Sequence, residues 1–144
     1  MKPVDQTVVD PVIGNCWSAC LASLLEISLE EVPHFATAPD VWEDRQGRGV
    51  TWLTATLDWL NSKGLKAKWK SLPEAHLLPY EEYNRGIPVG VPVILSGHSL
   101  RYEGCLHATI AVFDGKAFTM LHDPHPSRAG LKGDAVDVFW VVPL

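Results

Sequence analysis

The sequence predicts an α+β fold in which an N-terminal helix that carries a cysteine packs on an antiparallel β-sheet. Apolar residues recur at helical spacing early in the chain, whereas segments that alternate apolar and polar residues follow later. Helices followed by strands are typical of α+β proteins, and a regular alternation of the two would predict a parallel sheet instead. The length of 144 residues is close to one ordinary domain, so we expect a single domain over residues 1–144.

The first predicted helix begins at Cys16, after an arm that contains two prolines and a glycine. From Cys16 to about Glu26, apolar side chains at helical spacing predict a stripe that packs on the sheet: Cys20, Leu21, Leu24 and Leu25. Asn15 stands at the N-cap position. Its side-chain oxygen can accept a backbone N–H of the first turn, so we expect it to cap the helix.

Two later segments also show helical signals. Residues 28–31, Ser-Leu-Glu-Glu, have the spacing of a capping box and predict a short helix that ends near Pro33. Residues 35–49 are mixed and polar, so we expect a loop there. Residues 51–63 predict a longer helix with leucines on one side, and Gly64 follows where a helix C′ residue belongs.

Most of the remaining chain predicts strands. Residues 65–72, "LKAKWKSL", alternate with a period of two, as in a strand with one solvated face. Residues 73–89 are loop-like. Residues 92–96, "PVILS", predict a short buried strand, and residues 136–143, "VDVFWVVP", predict the last strand.

The clearest predicted unit is a β-hairpin over residues 106–123, "LHATIAVF", "DG" and "KAFTMLHD". Asp-Gly between two alternating segments favours a two-residue turn, which would pair His107 with His122. A three-residue loop, or a bulge near the end of the second strand, would set His107 opposite Asp123 instead. We favour the register that presents Asp123, because a carboxylate fixes the tautomer of an imidazole and stabilises its charged form.

Composition and charge restrict the classes of function. Hydrophobic residues make up 47% of the chain and charged residues 20%, as in ordinary globular proteins. The formal net charge is −5 without a cluster of lysine and arginine, so we expect neither nucleic acid nor an anionic membrane as a partner. Residues 1–14 contain no uninterrupted apolar segment, which predicts neither a signal peptide nor a membrane span. Three cysteines favour free thiols in a reducing, cytoplasmic location over a disulfide framework.

Cys16 is the first candidate for chemistry because it stands at the start of a helix. The unpaired N–H groups and the dipole of a helix N-terminus favour a thiolate, which is the nucleophilic form of cysteine. The backbone N–H of Cys16 can also bind an oxyanion that forms on a substrate carbonyl. Such a nucleophile needs a proton acceptor and a group that orients it, and the hairpin offers His107 and Asp123. The alternative is a buried structural thiol, which is what we expect of Cys20.

These residues resemble the papain-like cysteine peptidases, in which a glycine stands two positions before the catalytic cysteine and an aromatic residue follows it. Gly-Asn-Cys-Trp-Ser at residues 14–18 has this pattern, and the chain order of cysteine, histidine and aspartate is also the family's order. The chain is most similar to the compact bacterial and phage branch related to the bacteriocin-processing, C39-type peptidases. The similarity rests on "GNCWSACLASLLEISLEEVPHF" and "HATIAVFDGKAFTMLHDPHPSRAGL", about a third of the chain.

The resemblance implies a papain-like fold and a cysteine hydrolase, either a peptidase or an amidase, that needs no cofactor and no metal ion. Cys16 would be the nucleophile, His107 the base and Asp123 the group that orients the base, and the substrate would be a peptide, a protein or another amide. In the family, a glutamine a few residues before the cysteine usually completes the oxyanion hole. The only upstream glutamine here is Gln6, ten positions before Cys16, so the segment between them must loop out.

Two residues near this centre are candidates for substrate binding. Trp17 would cover the Cys16 sulfur or form a wall of the site, and the alternative is a place in the core. Arg128 would contact the substrate from the loop after Asp123, and the alternative is a solvated loop arginine.

Other functions stay open from the residues alone. The papain-like fold also hosts acyltransferases and transglutaminase-like enzymes, and a binding or regulatory module could keep the fold without turnover. A zinc-binding protein is a further alternative, because these residues include ligands that zinc prefers: Cys105, His107, His122 and His125.

Overall fold

The computed structural model describes residues 1–10, 14–36, 52–72 and 85–144. Within these ranges the helices are α1 (Cys16–Leu25), a 3₁₀ helix (Leu29–Glu31) and α2 (Trp52–Ser62). The strands are β1 (Leu65–Ser71), β2 (Pro92–Ser99), β3 (Leu106–Phe113), β4 (Phe118–His122) and β5 (Leu131–Pro143). The predicted α+β class is therefore confirmed. No helix in the described ranges is long and apolar enough to cross a membrane.

The strands of the described chain form one five-stranded sheet in the order β1-β5-β2-β3-β4. Every neighbouring pair in it is antiparallel. Helix α1 lies over β2 and β3, and α2 lies beside β1. The core under the helices contains Cys20, Leu21, Leu60, Ile94, Ile110 and Phe139, and a second cluster contains Val93, Leu95, Ala111, Phe113 and Val138. The cluster to which a strand residue belongs alternates along β2 and β5, as the pleat requires.

Two predicted strands are longer in the structure. β2 continues past Ser96 to Ser99, and β5 begins at Leu131 instead of Val136. A register shift separates Ser96 from His98 in the pairing of these strands. A Cβ on Gly97 would lie 3.0 Å from the Leu131 Cδ1 atom, so the glycine permits a close approach. Because this irregularity interrupts the period-two pattern, the sequence did not reveal the outer part of either strand.

The hairpin turn is also wider than predicted. Phe113 pairs with Phe118, so the loop consists of the four residues between them, and both predicted registers are wrong. The Asp114 carboxylate sets this length, because its Oδ1 accepts the N–H groups of Lys116 at 2.7 Å and Ala117 at 2.8 Å. The register then shifts near the end of β4, because Ala111 pairs with Met120 and Ile110 with His122, which leaves Leu121 as an extra residue.

The remaining predicted elements are largely as expected. The capping box at residues 28–31 is present, although it starts a 3₁₀ helix. Gly64 follows α2 with a φ of +76°, as expected for a C′ glycine. Cys20 is fully buried, as predicted. The loops expected at residues 35–49 and 73–89 lie mostly outside the described residues.

Asn15 does not cap α1 with its side chain, contrary to the prediction. Its Oδ1 accepts the N–H groups of Thr7 and Val8, each at 2.9 Å, and its Nδ2 donates to Thr7 Oγ1 at 2.9 Å. Its backbone N–H also donates to the Val8 carbonyl. The amide makes three bonds with the arm, whereas a cap would supply one. The arm is thereby fixed against the start of α1, whose first turn has no side-chain cap.

We expect Asn15→Ala to lower the free energy of unfolding by about 2 to 3 kcal/mol, because it removes three hydrogen bonds at a buried position and strands the Thr7 and Val8 donors. Urea denaturation followed by circular dichroism measures this change. The control is Asn61→Ala at an exposed site on α2, where we expect a change within about 0.5 kcal/mol. Equal effects of the two variants would contradict the role assigned to Asn15.

Candidate active site

His107 and Asp123 meet beside the end of the hairpin. The Nε2 atom of His107 lies 2.6 Å from Oδ1 of Asp123, and both side chains are buried. A contact between an imidazole nitrogen and a carboxylate oxygen at this distance is a charge-assisted hydrogen bond. Because a carboxylate only accepts, Nε2 carries the proton, and Nδ1 remains to exchange a proton with another group.

Backbone N–H groups near Asp123 supply further hydrogen bonds to both oxygens of its carboxylate. Oδ1 also accepts the backbone N–H of His125 at 2.9 Å, and Oδ2 accepts the N–H of Gly130 at 2.7 Å. Burial by itself would raise the pKa of Asp123, but the hydrogen bonds from His107 and from the two backbone groups lower it to about 2. The carboxylate is therefore charged at neutral pH although its side chain is buried.

Cys16 completes this group from the start of α1. Burial would lower the pKa of His107, but the hydrogen bond to Asp123 and the interaction with Cys16 raise it to about 9. Cys16 and His107 also line the same cavity. The structure therefore brings together Cys16, His107 and Asp123, the three residues that the sequence nominated for catalysis.

The cavity at Cys16 has a volume of about 250 Å³. Its described walls are mostly apolar and include Trp17, Phe35, Trp52, Leu106 and Ala108. Pockets of this character bind a substrate group by apolar contact and orient it with a few polar groups. The polar groups present, besides the Cys16–His107 pair, include Ser18, Ser96 and Asp137.

Trp17 lines the cavity and also packs against the core, and substrate binding by it stays a prediction. Its ring lines the cavity, and it also packs edge-on against Trp52 and Phe139, with centroid distances of 4.7 and 4.9 Å. Its Nε1 donates to Thr56 Oγ1 at 3.0 Å. The indole is thus held by α2 and by the sheet, which gives the cavity a fixed wall.

Gln6 lies close to the start of α1, as its predicted part in an oxyanion hole requires. Its Nε2 donates to the Val8 carbonyl at 2.9 Å, and the same carbonyl accepts the N–H of Asn15, the residue before Cys16. The Gln6 backbone N–H donates to the Pro124 carbonyl at 3.0 Å. Gln6 is buried and is not among the described residues that line the cavity. Its part in an oxyanion hole stays a prediction.

Arg128 makes contacts within the protein. Its guanidinium pairs with both carboxylate oxygens of Asp5, at 2.6 and 2.8 Å, and donates to the Asp123 carbonyl at 2.5 Å. It is not among the described residues that line the cavity. These contacts tie the N-terminal arm to the loop that holds Asp123, and substrate binding by Arg128 stays a prediction.

Two of the candidate zinc ligands, His122 and His125, contact different groups of the protein. His122 Nε2 lies 3.1 Å from both the Val4 carbonyl and an Asp5 carboxylate oxygen. His125 Nδ1 contacts Ser127 Oγ at 2.8 Å. In the described part of the chain, no group of three or more His, Cys, Asp or Glu side chains is arranged to hold a metal ion.

Sequence reasoning missed Ser96 and Asp137 in the cavity. They pair directly across β2 and β5, and each lies two residues from a member of the core under the helices, Ile94 and Phe139. A polar residue at a position whose period-two neighbours are buried was the available signal.

Comparison with protein-family models, with curated proteins and with solved structures gives no match for this chain.

We expect the imidazole of His107 to titrate with a midpoint near pH 9, and Asp123→Asn to lower this midpoint because it removes a negative partner. NMR of labelled histidine, assigned with a His107→Gln sample, measures it. Because the folded pKa lies above the ordinary value of 6.5, the stability that protonated His107 contributes is fully present below about pH 6.5 and is lost as the pH rises through about 9. Glu103→Gln at an exposed site is the control. A midpoint near 6.5 in the unsubstituted protein would contradict this electrostatic description.

Proposed function

We propose that this protein is a cysteine hydrolase with a papain-like fold, a peptidase or amidase that acts through Cys16, His107 and Asp123. The single observation that carries the proposal is that the buried His107–Asp123 hydrogen bond lies beside a cavity that Cys16 also lines from the start of α1. The resemblance of the sequence around Cys16 and His107 to papain-like peptidases supports it independently.

Because its pKa is about 9, His107 has taken the Cys16 proton on Nδ1 before the first half-reaction, and the sulfur then attacks the carbonyl carbon of the substrate amide. The carbonyl oxygen becomes an oxyanion in the tetrahedral intermediate. When this intermediate collapses, the carbon–nitrogen bond breaks, and the leaving amine takes a proton from the His107 imidazolium. The product of this half-reaction is a thioester on Cys16.

In the second half-reaction, His107 accepts a proton from a water molecule that attacks the thioester carbonyl. A second tetrahedral intermediate collapses, the carbon–sulfur bond breaks, and His107 keeps the proton taken from water beside the released sulfur. Asp123 stays ionised throughout, because its low pKa keeps it charged, and it stabilises the imidazolium present in each half-reaction. An acceptor amine in place of water would give acyl transfer by the same steps.

The first turn of α1 is the candidate oxyanion hole. It has no side-chain cap, because Asn15 binds the arm instead, so backbone N–H groups at Cys16 are placed to donate to an oxyanion. Gln6 is the proposed second donor. Its position near the Asn15–Val8 contact supports this assignment.

The proposed enzyme works in a reducing, cytoplasmic setting that keeps Cys16 a thiol. The free state of Cys16, Cys20 and Cys105 supports this proposal. A binding module without turnover is the competing function, and the intact hydrogen bond between His107 and Asp123 favours the enzyme.

We expect the purified protein to cleave members of a peptide library, with products identified by mass spectrometry. Cys16→Ala and His107→Ala should each lower kcat/KM by roughly 10³-fold or more, because one lacks the nucleophile and the other the base. Cys105→Ala is the matched control and should retain activity, since this thiol lies outside the described cavity walls. Turnover that survives in Cys16→Ala would contradict the assignment.

Selective alkylation provides a second test that needs no substrate. At mildly acidic pH, iodoacetamide should modify Cys16 well before Cys20, because burial raises the pKa of the Cys20 thiol and blocks its access to reagent. Peptide mapping after short exposures measures the order of modification, with Cys105 as the internal reference. Modification of Cys105 before Cys16 would count against an activated nucleophile.

A further inference from the structure

A half-buried acid, Asp137, lies in the cavity next to the proposed nucleophile. Asp137 of β5 pairs with Ser96 of β2, and both line the cavity together with Cys16. The His107 imidazole lines the same cavity, and it is paired with Asp123. No lysine or arginine is found among the described cavity walls.

The environment of Asp137 is unfavourable for a lone negative charge. Burial raises the pKa of this carboxyl, although the hydrogen bond from Ser96 acts in the opposite direction. A carboxylate in such a place is stabilised strongly when a cation enters, because the attraction is screened less than it would be in water. The cavity therefore favours a ligand that brings its own positive charge.

The cavity walls restrict the shape of that ligand. Trp17, Trp52 and Leu106 are apolar walls around the same space as Asp137. The volume of about 250 Å³ lies below the usual range for drug-sized ligands, so one side chain fits better than an extended peptide. Lysine and arginine combine an apolar stem with a cationic head, which matches both the walls and the acid.

We propose that Asp137, supported by Ser96, is the specificity-determining residue of the Cys16 centre, and that it selects substrates with a lysine or arginine side chain next to the reacting carbonyl. This inference rests on the proposed function for the identity of the reaction. The recognition of a cationic side chain beside Cys16 can nevertheless be tested without turnover.

The test measures protection of Cys16 from iodoacetamide by two ligands, N-acetyl-lysine methylamide and N-acetyl-norleucine methylamide. These ligands share an apolar stem, and only the first carries an ammonium group. We expect the lysine ligand to protect Cys16 with an apparent Kd about 10-fold or more lower than that of the norleucine ligand, as for a hydrogen bond between charged groups. Asp137→Asn should reduce this ratio to within about threefold of unity.

The matched control is Asp134→Asn, an exposed carboxyl on the same strand, and it should keep the full preference for lysine. Protection by the norleucine ligand should persist in Asp137→Asn, which shows that the cavity is still formed. Equal protection by both ligands in the unsubstituted protein, no protection by either, or an unchanged ratio in Asp137→Asn would each overturn the proposal.

The result would differ if Asp137 recognises a cationic side chain but the protein is not an enzyme. In that case lysine-selective protection of Cys16 would remain and depend on Asp137, while neither lysine-containing nor norleucine-containing peptides would be cleaved. If both are correct, kcat/KM for lysine-containing peptides should exceed that for norleucine-containing ones by about 10-fold or more, and Asp137→Asn should remove most of this difference.

Discussion

The buried carboxylate of Asp123 is the interaction on which the arrangement of the site depends. Its two oxygens accept three hydrogen bonds, from the His107 ring and from the N–H groups of His125 and Gly130. A charged group with little access to solvent requires such a set of donors. The chain after β4 therefore wraps around this carboxylate: Gly130 adopts a φ of +79° at the contact, and Arg128 binds the Asp123 carbonyl. The orientation of the imidazole follows from the same constraint.

The N-terminal arm links this loop to the helix that carries the thiol. Gln6 donates to Pro124, Asp5 pairs with Arg128, and Asn15 holds the arm at the start of α1. Because the Asn15 side chain binds the arm, it makes no capping hydrogen bond to the first turn of α1. The same set of contacts thus joins the helix that carries Cys16 to the loop that carries Asp123, which would preorganise the site for the proposed acyl transfer.

Much of the fold was predictable because, in most segments, the local sequence pattern and the tertiary packing favour the same secondary structure. The stripe after Cys16 and the alternation in residues 65–71 gave the right elements. The incorrect predictions concern positions where one side chain could make either of two sets of local hydrogen bonds. Asp114 widened the hairpin turn, and Asn15 bound the arm instead of capping α1. The contact of His107 with Asp123 was expected for a preferred register, and it forms although the actual register is different. The spacing of Asp137 from Phe139 marks it as inward-facing, but its place beside Cys16 depends on the strand order, which the sequence did not predict.

The central claim is that Cys16 forms the acyl-enzyme and that His107, oriented by Asp123, acts as its base. Intact-mass analysis after acid quench, during reaction with a peptide p-nitrophenyl ester, tests this most directly. We predict that a fraction of the protein gains the mass of the acyl group, that fragmentation places it on Cys16, and that His107→Ala and Asp123→Ala both slow its formation. Release of nitrophenol without an acyl adduct on Cys16, or an adduct that forms equally fast in all three proteins, would contradict the claim.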